Sequence, residues 1–155
     1  MRAAPFLLIV TLLVAACAQV GDTFDVTPFL REQITGDTRR ACLAREYQVQ
    51  TRFVLRDGRD WLEASRFSAK GWAALRGESV HHWSPADVGV GTTEHDPAQR
   101  ELEGALAGPA GDSCACAKAE AAFDGVLAAA ARVAGNQEQV NKNFSDALAA
   151  CRQKK

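Results

Sequence analysis

The chain is poor in aromatic side chains, which make up 7% of its 155 residues and include a single tyrosine. Sheet sandwiches draw their cores from Val, Ile, Tyr and Trp. That scarcity, beside abundant alanine, argues against such an architecture and predicts closely packed helices around a thin core. An excess of charge is lacking too, because 18 Lys and Arg face 19 Asp and Glu for a net charge of -1. Such a balance gives no bulk attraction to nucleic acid or to an anionic membrane and disfavours a polyanion-binding role. Neither a Gly-rich phosphate loop nor a Gly-x-Ser-x-Gly nucleophile elbow occurs, and no exact internal repeat is visible. What is present is an ordinary globular composition, 47% hydrophobic and 24% charged, at a length suited to one domain.

The first twenty residues read as an export signal. Arg2 precedes an apolar run from Phe6 to Val14, which small residues follow at Ala15, Ala16 and Ala18. The run falls short of the roughly 20 residues that span a bilayer, and small residues behind it suit a signal peptidase. Val14-Ala15-Ala16-Cys17 resembles the bacterial lipobox, in which cleavage before the cysteine leaves a lipid-bearing amino terminus. On that reading residues 1–16 are a cleaved lipoprotein signal peptide, 17–26 a tether held in the lipid bilayer through acylated Cys17, and 27–155 the folded domain. Ala18 in place of aspartate resembles the sorting rule for the outer membrane. Cleavage after Ala18, releasing a soluble periplasmic protein, is the alternative.

Helical periodicity organises the rest. Thr27-Pro28 opens a brief helix to about Ile34, closed by Gly36. Asp37 or Thr38 caps a second, running to about Arg56 with Cys42, Leu43, Tyr47, Phe53 and Val54 at helical spacing and broken by Asp57-Gly58. Asp60 and Glu63 have the spacing of a reciprocal capping box. The helix they open places Trp61, Ala64, Ser68, Trp72 and Leu75 on one face and stops at Gly77, so the two segments form an antiparallel hairpin. Residues 78–94 read as a long loop. Asp96-Pro97 starts a short helix, and Ser113 caps a longer one carrying Cys116, Phe123 and Leu127 towards Gly135. Asn136 to Gln139 is a second reciprocal cap, ahead of Val140, Phe144, Ala147, Leu148 and Cys151. The fold class is therefore all-α, a small disulfide-stapled bundle of antiparallel helix hairpins.

Four cysteines remain after Cys17. In an oxidising compartment Cys42, Cys114, Cys116 and Cys151 allow three pairings. Joining Cys114 to Cys116 would close a strained loop. A turn near Gly135 sets Cys116 and Cys151 at matching heights, which favours that bridge and leaves Cys42 for Cys114. The swapped pairing is the rival. Zinc and redox sites use wider Cys spacings than Cys-x-Cys, and His81, His82, His95 and Asp96 lack a ligand pattern, so neither metal nor cofactor is expected. Trp61 and Trp72 fit the buried stripe, whereas His82 and Trp83 are candidates for packing a loop or meeting a partner. Arg39, Arg40, Arg45, Glu46, Arg52 and Arg56 read as a solvated face. Ser65, Ser68 and Ser79 lack a nucleophile's setting, and Glu63 and Glu120 read as cap or surface residues. These absences argue against an enzyme.

The segments Cys42–Tyr47, Asp60–Trp72, Arg76–Glu78 and Ala121–Asp124 resemble a group of small alphaproteobacterial envelope proteins, and through them the helical region preceding the peptidoglycan-binding domain in some OmpA-family lipoproteins. Gly125 departs from the cysteine this resemblance implies, and the sequence given carries no peptidoglycan-binding segment after the helices. Gly58, Trp61, Ala64 and Phe67 also sit near the spacing of one tetratricopeptide-like helix, but a repeat array needs about three units. The resemblance and the lipobox together imply a lipid-anchored outer-membrane protein, a non-enzymatic structural or protein-binding module with an envelope protein as partner and no nucleic acid. The alternative is a soluble periplasmic inhibitor or binding protein, of the kind that inhibits lysozymes.

Overall fold

The computed structural model describes residues 25–58, 60–132 and 136–153. Residues 1–16, Cys17, the tether as far as residue 24 and the turn at Gly135 lie outside the described residues. Those described are helical with no strand: α1 (25–31), α2 (Arg39–Gly58), α3 (Trp61–Arg76), α4 (Thr92–Leu106), α5 (Cys114–Ala130) and α6 (Gln137–Gln153), with one 3-10 turn at Pro85–Val88. Two hairpins, α2–α3 and α5–α6, pack through α2 against α5, and α4 closes the α5–α6 side.

Local chemistry sets most of the boundaries. Thr38 Oγ1 accepts from the Ala41 amide at 3.3 Å and starts α2, and Ser113 Oγ does the same for Cys116 at the start of α5. Asp60 accepts from the Glu63 amide at 2.9 Å. At the far end of α3 Gly77 turns left-handed at φ 78°. Its amide reaches the Ala74 carbonyl while that of Glu78 reaches Ala73, the Schellman arrangement that satisfies otherwise unpaired carbonyls.

Four boundaries differ from expectation. Thr27 lies inside α1, which ends at residue 31, where side chains of α2 take up carbonyls of its last turn and of the chain after it. Gln48 Nε2 donates to Phe29 O at 2.6 Å and Glu32 O at 2.9 Å, and Arg45 donates to Gly36 O at 2.6 Å. α2 continues through Gly58. The 78–94 stretch holds the Pro85–Val88 turn, stapled by the Ser84 amide and hydroxyl on Asp87 Oδ2 at 2.7 and 2.8 Å. Finally, α4 begins at Thr92 rather than Asp96. Pro97 removes only the bond to the carbonyl of Thr93, an exposed residue in the first turn.

The core has two lobes that meet at α5, in which every residue from Ala119 to Ala128 is buried. One lobe gathers Phe29, Leu43, Tyr47 and Phe67 with Ala64 and Ala74 of α3 and Ala117, Ala121 and Ala128 of α5. The other gathers Leu102, Phe123, Leu127, Val140, Phe144 and Leu148. Alanine and glycine in α3 and α5 let backbones approach closely. A Cβ on Gly71 would come within 2.0 Å of the Phe29 ring, so α1 rests directly on the backbone of α3. At Gly125 a Cβ would meet the Gln50 carboxamide at 2.7 Å, so a side chain there requires Gln50 to move.

The disulfides are Cys42–Cys114 and Cys116–Cys151, with Cα atoms 5.2 and 4.5 Å apart. This is the favoured pairing, not the swapped one. The first joins the hairpins to each other at α2 and α5, and the second staples the open end of α5–α6. Trp61 corrects the expected stripe: it is 50% exposed, and the apolar face of α3 is carried by Ala64, Phe67, Gly71 and Ala74. Trp72 does pack inward, its ring 5.5 Å from that of Phe29.

Candidate functional site

The apolar helix α5 carries two carboxylates one turn apart, Glu120 and Asp124, and both are buried. Each needs a compensating charge, since an isolated ion in a low-dielectric interior is very costly. Asp124, with no exposed surface, obtains its partners from three other segments. From α2 the Tyr47 hydroxyl donates to Oδ2 at 2.8 Å. The Lys70 ammonium on α3 forms a short ion pair with the same oxygen. Oδ1 accepts the Trp83 amide at 2.6 Å, pinning the irregular chain after α3.

Aromatic rings complete the enclosure. Lys70 Nζ lies 4.7 Å from the centre of the Trp83 ring and 5.3 Å from that of Tyr47, distances at which a desolvated cation is attracted to the ring face. Phe67 bridges the two rings at 5.1 and 6.2 Å. Burial pushes the Asp124 carboxyl above its usual range, with Lys70, the Trp83 amide and Tyr47 pulling against it. Burial, and then the nearby Asp124 charge, holds the Tyr47 phenol well above its ordinary value, so it stays a donor. Both carboxylate oxygens are occupied and the ammonium is capped by rings. Chemically the constellation is a clamp that locks α2, α3, α5 and the Trp83 segment in one arrangement.

Glu120 repeats the logic one turn earlier. Arg39 Nη2 meets its Oε2 at 2.5 Å while Nε donates to Gly111 O at 3.1 Å. Burial raises the Glu120 pKa and Arg39 opposes the rise. The expected solvated face of α2 holds for the exposed Arg40, Arg52 and Arg56 and is corrected at Arg39, which serves the interior; Arg45 holds the Gly36 carbonyl, and Arg52 Nη2, at the surface, donates to Leu30 O at 3.0 Å. Beside the Arg39–Glu120 pair an open cleft of about 430 Å³ is lined by two arginines and three carboxylates, which gives it no cationic character.

The third buried carboxylate is incompletely satisfied. Glu63 Oε1 has no hydrogen-bond partner among the described residues, and Oε2 sits 3.7 Å from Arg66 and 4.0 Å from Arg132. It does not close a reciprocal cap with Asp60. Burial raises its pKa above the ordinary 4.5, opposed by Arg132 and Arg66. At the start of α6 the Asn136 cap also acts in one direction only, because Gln139 turns to Asn143 at 2.8 Å.

His82 and Trp83, the candidate partner-binding residues, both turn inward. Trp83 belongs to the clamp. The His82 ring meets the Phe123 ring edge-on at 5.6 Å, and its Nε2 lies 3.5 Å from Glu103. Their observed use is loop packing. His81 bonds to Ser79 and His95 is buried in α4. Among the described residues no group of three or more His, Cys, Asp or Glu is placed to hold a metal. Tyr47, Lys70 and Asp124 went unrecognised as a unit. The available signal was the i, i+4 spacing of Glu120 and Asp124 inside an otherwise apolar helix.

Asp124→Asn leaves Lys70 buried without its counter-charge and is expected to lower unfolding stability by roughly 3–5 kcal/mol in denaturant titration. Tyr47→Phe costs less, about 1–3 kcal/mol, and near-neutral results for both would refute the clamp. The Glu63 prediction concerns pH. A raised folded pKa means the native state holds a proton that the unfolded chain has lost, so this group's stabilisation falls as pH rises from about 4.5 through the folded value. Glu63→Gln removes that loss, so urea melts at pH 4 and pH 7 should show the variant gaining on the wild type at the higher pH. An unchanged difference, or the opposite trend, would count against it. Comparison of the chain with protein-family models, with curated proteins and with solved structures finds no match.

Proposed function

We propose that the chain is a lipid-anchored protein on the periplasmic side of a bacterial outer membrane, whose helical domain works as a non-enzymatic structural or protein-binding module. Cysteine pairing supports the oxidising compartment, and the lipobox-like Val14-Ala15-Ala16-Cys17 supports the anchor. Four of the five cysteines close two disulfides within the domain, as befits an oxidising compartment. Cys17 is left over, directly behind the apolar run at Val14-Ala15-Ala16-Cys17. Several acyl chains on that residue, at about 0.8 kcal/mol per buried methylene, hold a domain far more firmly than a single myristoyl group does.

The architecture supports a scaffold role. Its most elaborate polar cluster has every oxygen of Asp124 engaged by internal donors, and the bridges brace helices against one another. No helix of the described residues is long and apolar enough to cross a membrane.

Labelled palmitate supplied to cells expressing the full chain should enter the mature protein and vanish with Cys17→Ala. Label that persists in the variant, or none in the wild type, would overturn the anchor. A wild-type chain starting at Gln19 without fatty acid would establish the soluble periplasmic alternative.

A further inference from the structure

The near-zero net charge conceals a strong segregation. Residues 39–76, the α2–α3 hairpin and its turn, hold nine Lys and Arg against four Asp and Glu, a net +5, while the rest of the chain carries -6. Two of those cations, Arg39 and Lys70, are neutralised by the buried carboxylates of α5. Of the hairpin's other arginines, Arg40, Arg52, Arg56 and Arg66 are exposed, whereas Glu63 is buried and Glu46 and Asp60 are half-buried, so its described outer surface is cationic. The same hairpin bears the exposed large hydrophobics of the described residues: Val49 at 52%, Trp61 at 50% and Leu62 at 64%.

Position links this surface to the anchor. Trp72 Nε1 donates to Asp25 O at 3.4 Å, so the chain leading back to Cys17 departs beside Trp72. Trp61 precedes Trp72 by eleven residues, three helical turns, which puts both on one side of α3 about 16 Å apart. Cys17 is eight residues from Asp25 and reaches at most about 28 Å. A bilayer holding Cys17 therefore lies within reach of Trp61 and Leu62, and Arg66 stands one turn beyond Leu62.

We propose that the α2–α3 hairpin docks on the anionic phospholipid surface that carries its own anchor, with Trp61 and Leu62 entering the interface and the hairpin's arginines meeting the headgroups. This rests on the lipid-anchor reading. An indole at a membrane interface keeps its ring in the apolar zone and its N–H in the polar one. Cations near an anionic surface add attraction that salt weakens. With the hairpin against the membrane, the anionic α4–α6 side faces away from it.

The test uses the acylated mature chain in vesicles of phosphatidylethanolamine and phosphatidylglycerol containing brominated phospholipid, which quenches tryptophan at the interface. Flotation of the wild type first reports the anchor. The expected result is quenching whose Trp61 share, read as the difference between wild type and Trp61→Phe, weakens with salt and reflects a docked-to-free ratio reduced about fivefold in Arg66→Ala, equivalent to ~1 kcal/mol per cation. Both variants alter exposed side chains, and because Arg66 also lies 3.7 Å from Glu63, an unchanged helical circular-dichroism spectrum, rather than an unchanged melt, confirms the fold of each. A chain that fails to float overturns the anchor reading and the docking with it. A floating chain whose Trp61 emission is unquenched overturns the docking alone. Equal quenching in phosphatidylcholine vesicles removes the electrostatic part. Concentration-dependent protection of Trp61 without lipid assigns the surface to a second copy instead.

Discussion

A carboxylate placed where no water reaches it governs this fold. Asp124 projects from the most buried helix of the molecule, and its position is tolerable only with Lys70, Tyr47 and the Trp83 amide all in place. Those donors come from residues 77, 54 and 41 positions away in sequence, so one side chain fixes the mutual placement of α2, α3, α5 and the segment after α3. An apolar contact could slide by a fraction of an ångström at small cost. A desolvated ion pair with three directional donors cannot, and that makes it a source of specificity even where its net stabilisation is modest.

The disulfides work at a different level. Cys42–Cys114 and Cys116–Cys151 lie towards the end of the bundle where α5 begins, and they restrict the unfolded chain as much as they brace the folded one. The small-residue helices need both devices. Alanine and glycine bring α1, α3 and α5 close, as at Gly71 under Phe29, but bury little apolar area per residue. Covalent closure and a fixed polar node compensate for a core with few large side chains.

Local signals were legible in the sequence and long-range ones were not. Thr38, Asp60, Gly77, Ser113 and Asn136 mark helix ends through chemistry that spans only a few residues, and the Val140–Cys151 stripe shows its buried face through spacing alone. The cysteine pairing followed from the hairpin those signals define. By contrast, Glu120 reads as a cap or surface residue and Asp124 draws no reading of its own, because their compensating partners lie on other elements. Arg39 and Arg45 were similarly invisible as interior and clasp residues. Trp61 failed in the opposite sense, since its type and spacing suit a core that the short side chains of α3 already fill. Net charge also averaged away the contrast between a cationic hairpin and an anionic remainder, a contrast that gives the domain a definable face.

The amide of Trp83 offers the most direct test of the node, because it lies in irregular chain where backbone protons ordinarily exchange quickly. Hydrogen exchange followed residue by residue should show it protected to the level of the α5 interior, opening only with global unfolding, while the amides of Ser79 and His81 exchange freely. Exchange of Trp83 as rapid as that of those neighbours would mean that Asp124 does not hold this segment, and the account of the fold built on it would be contradicted.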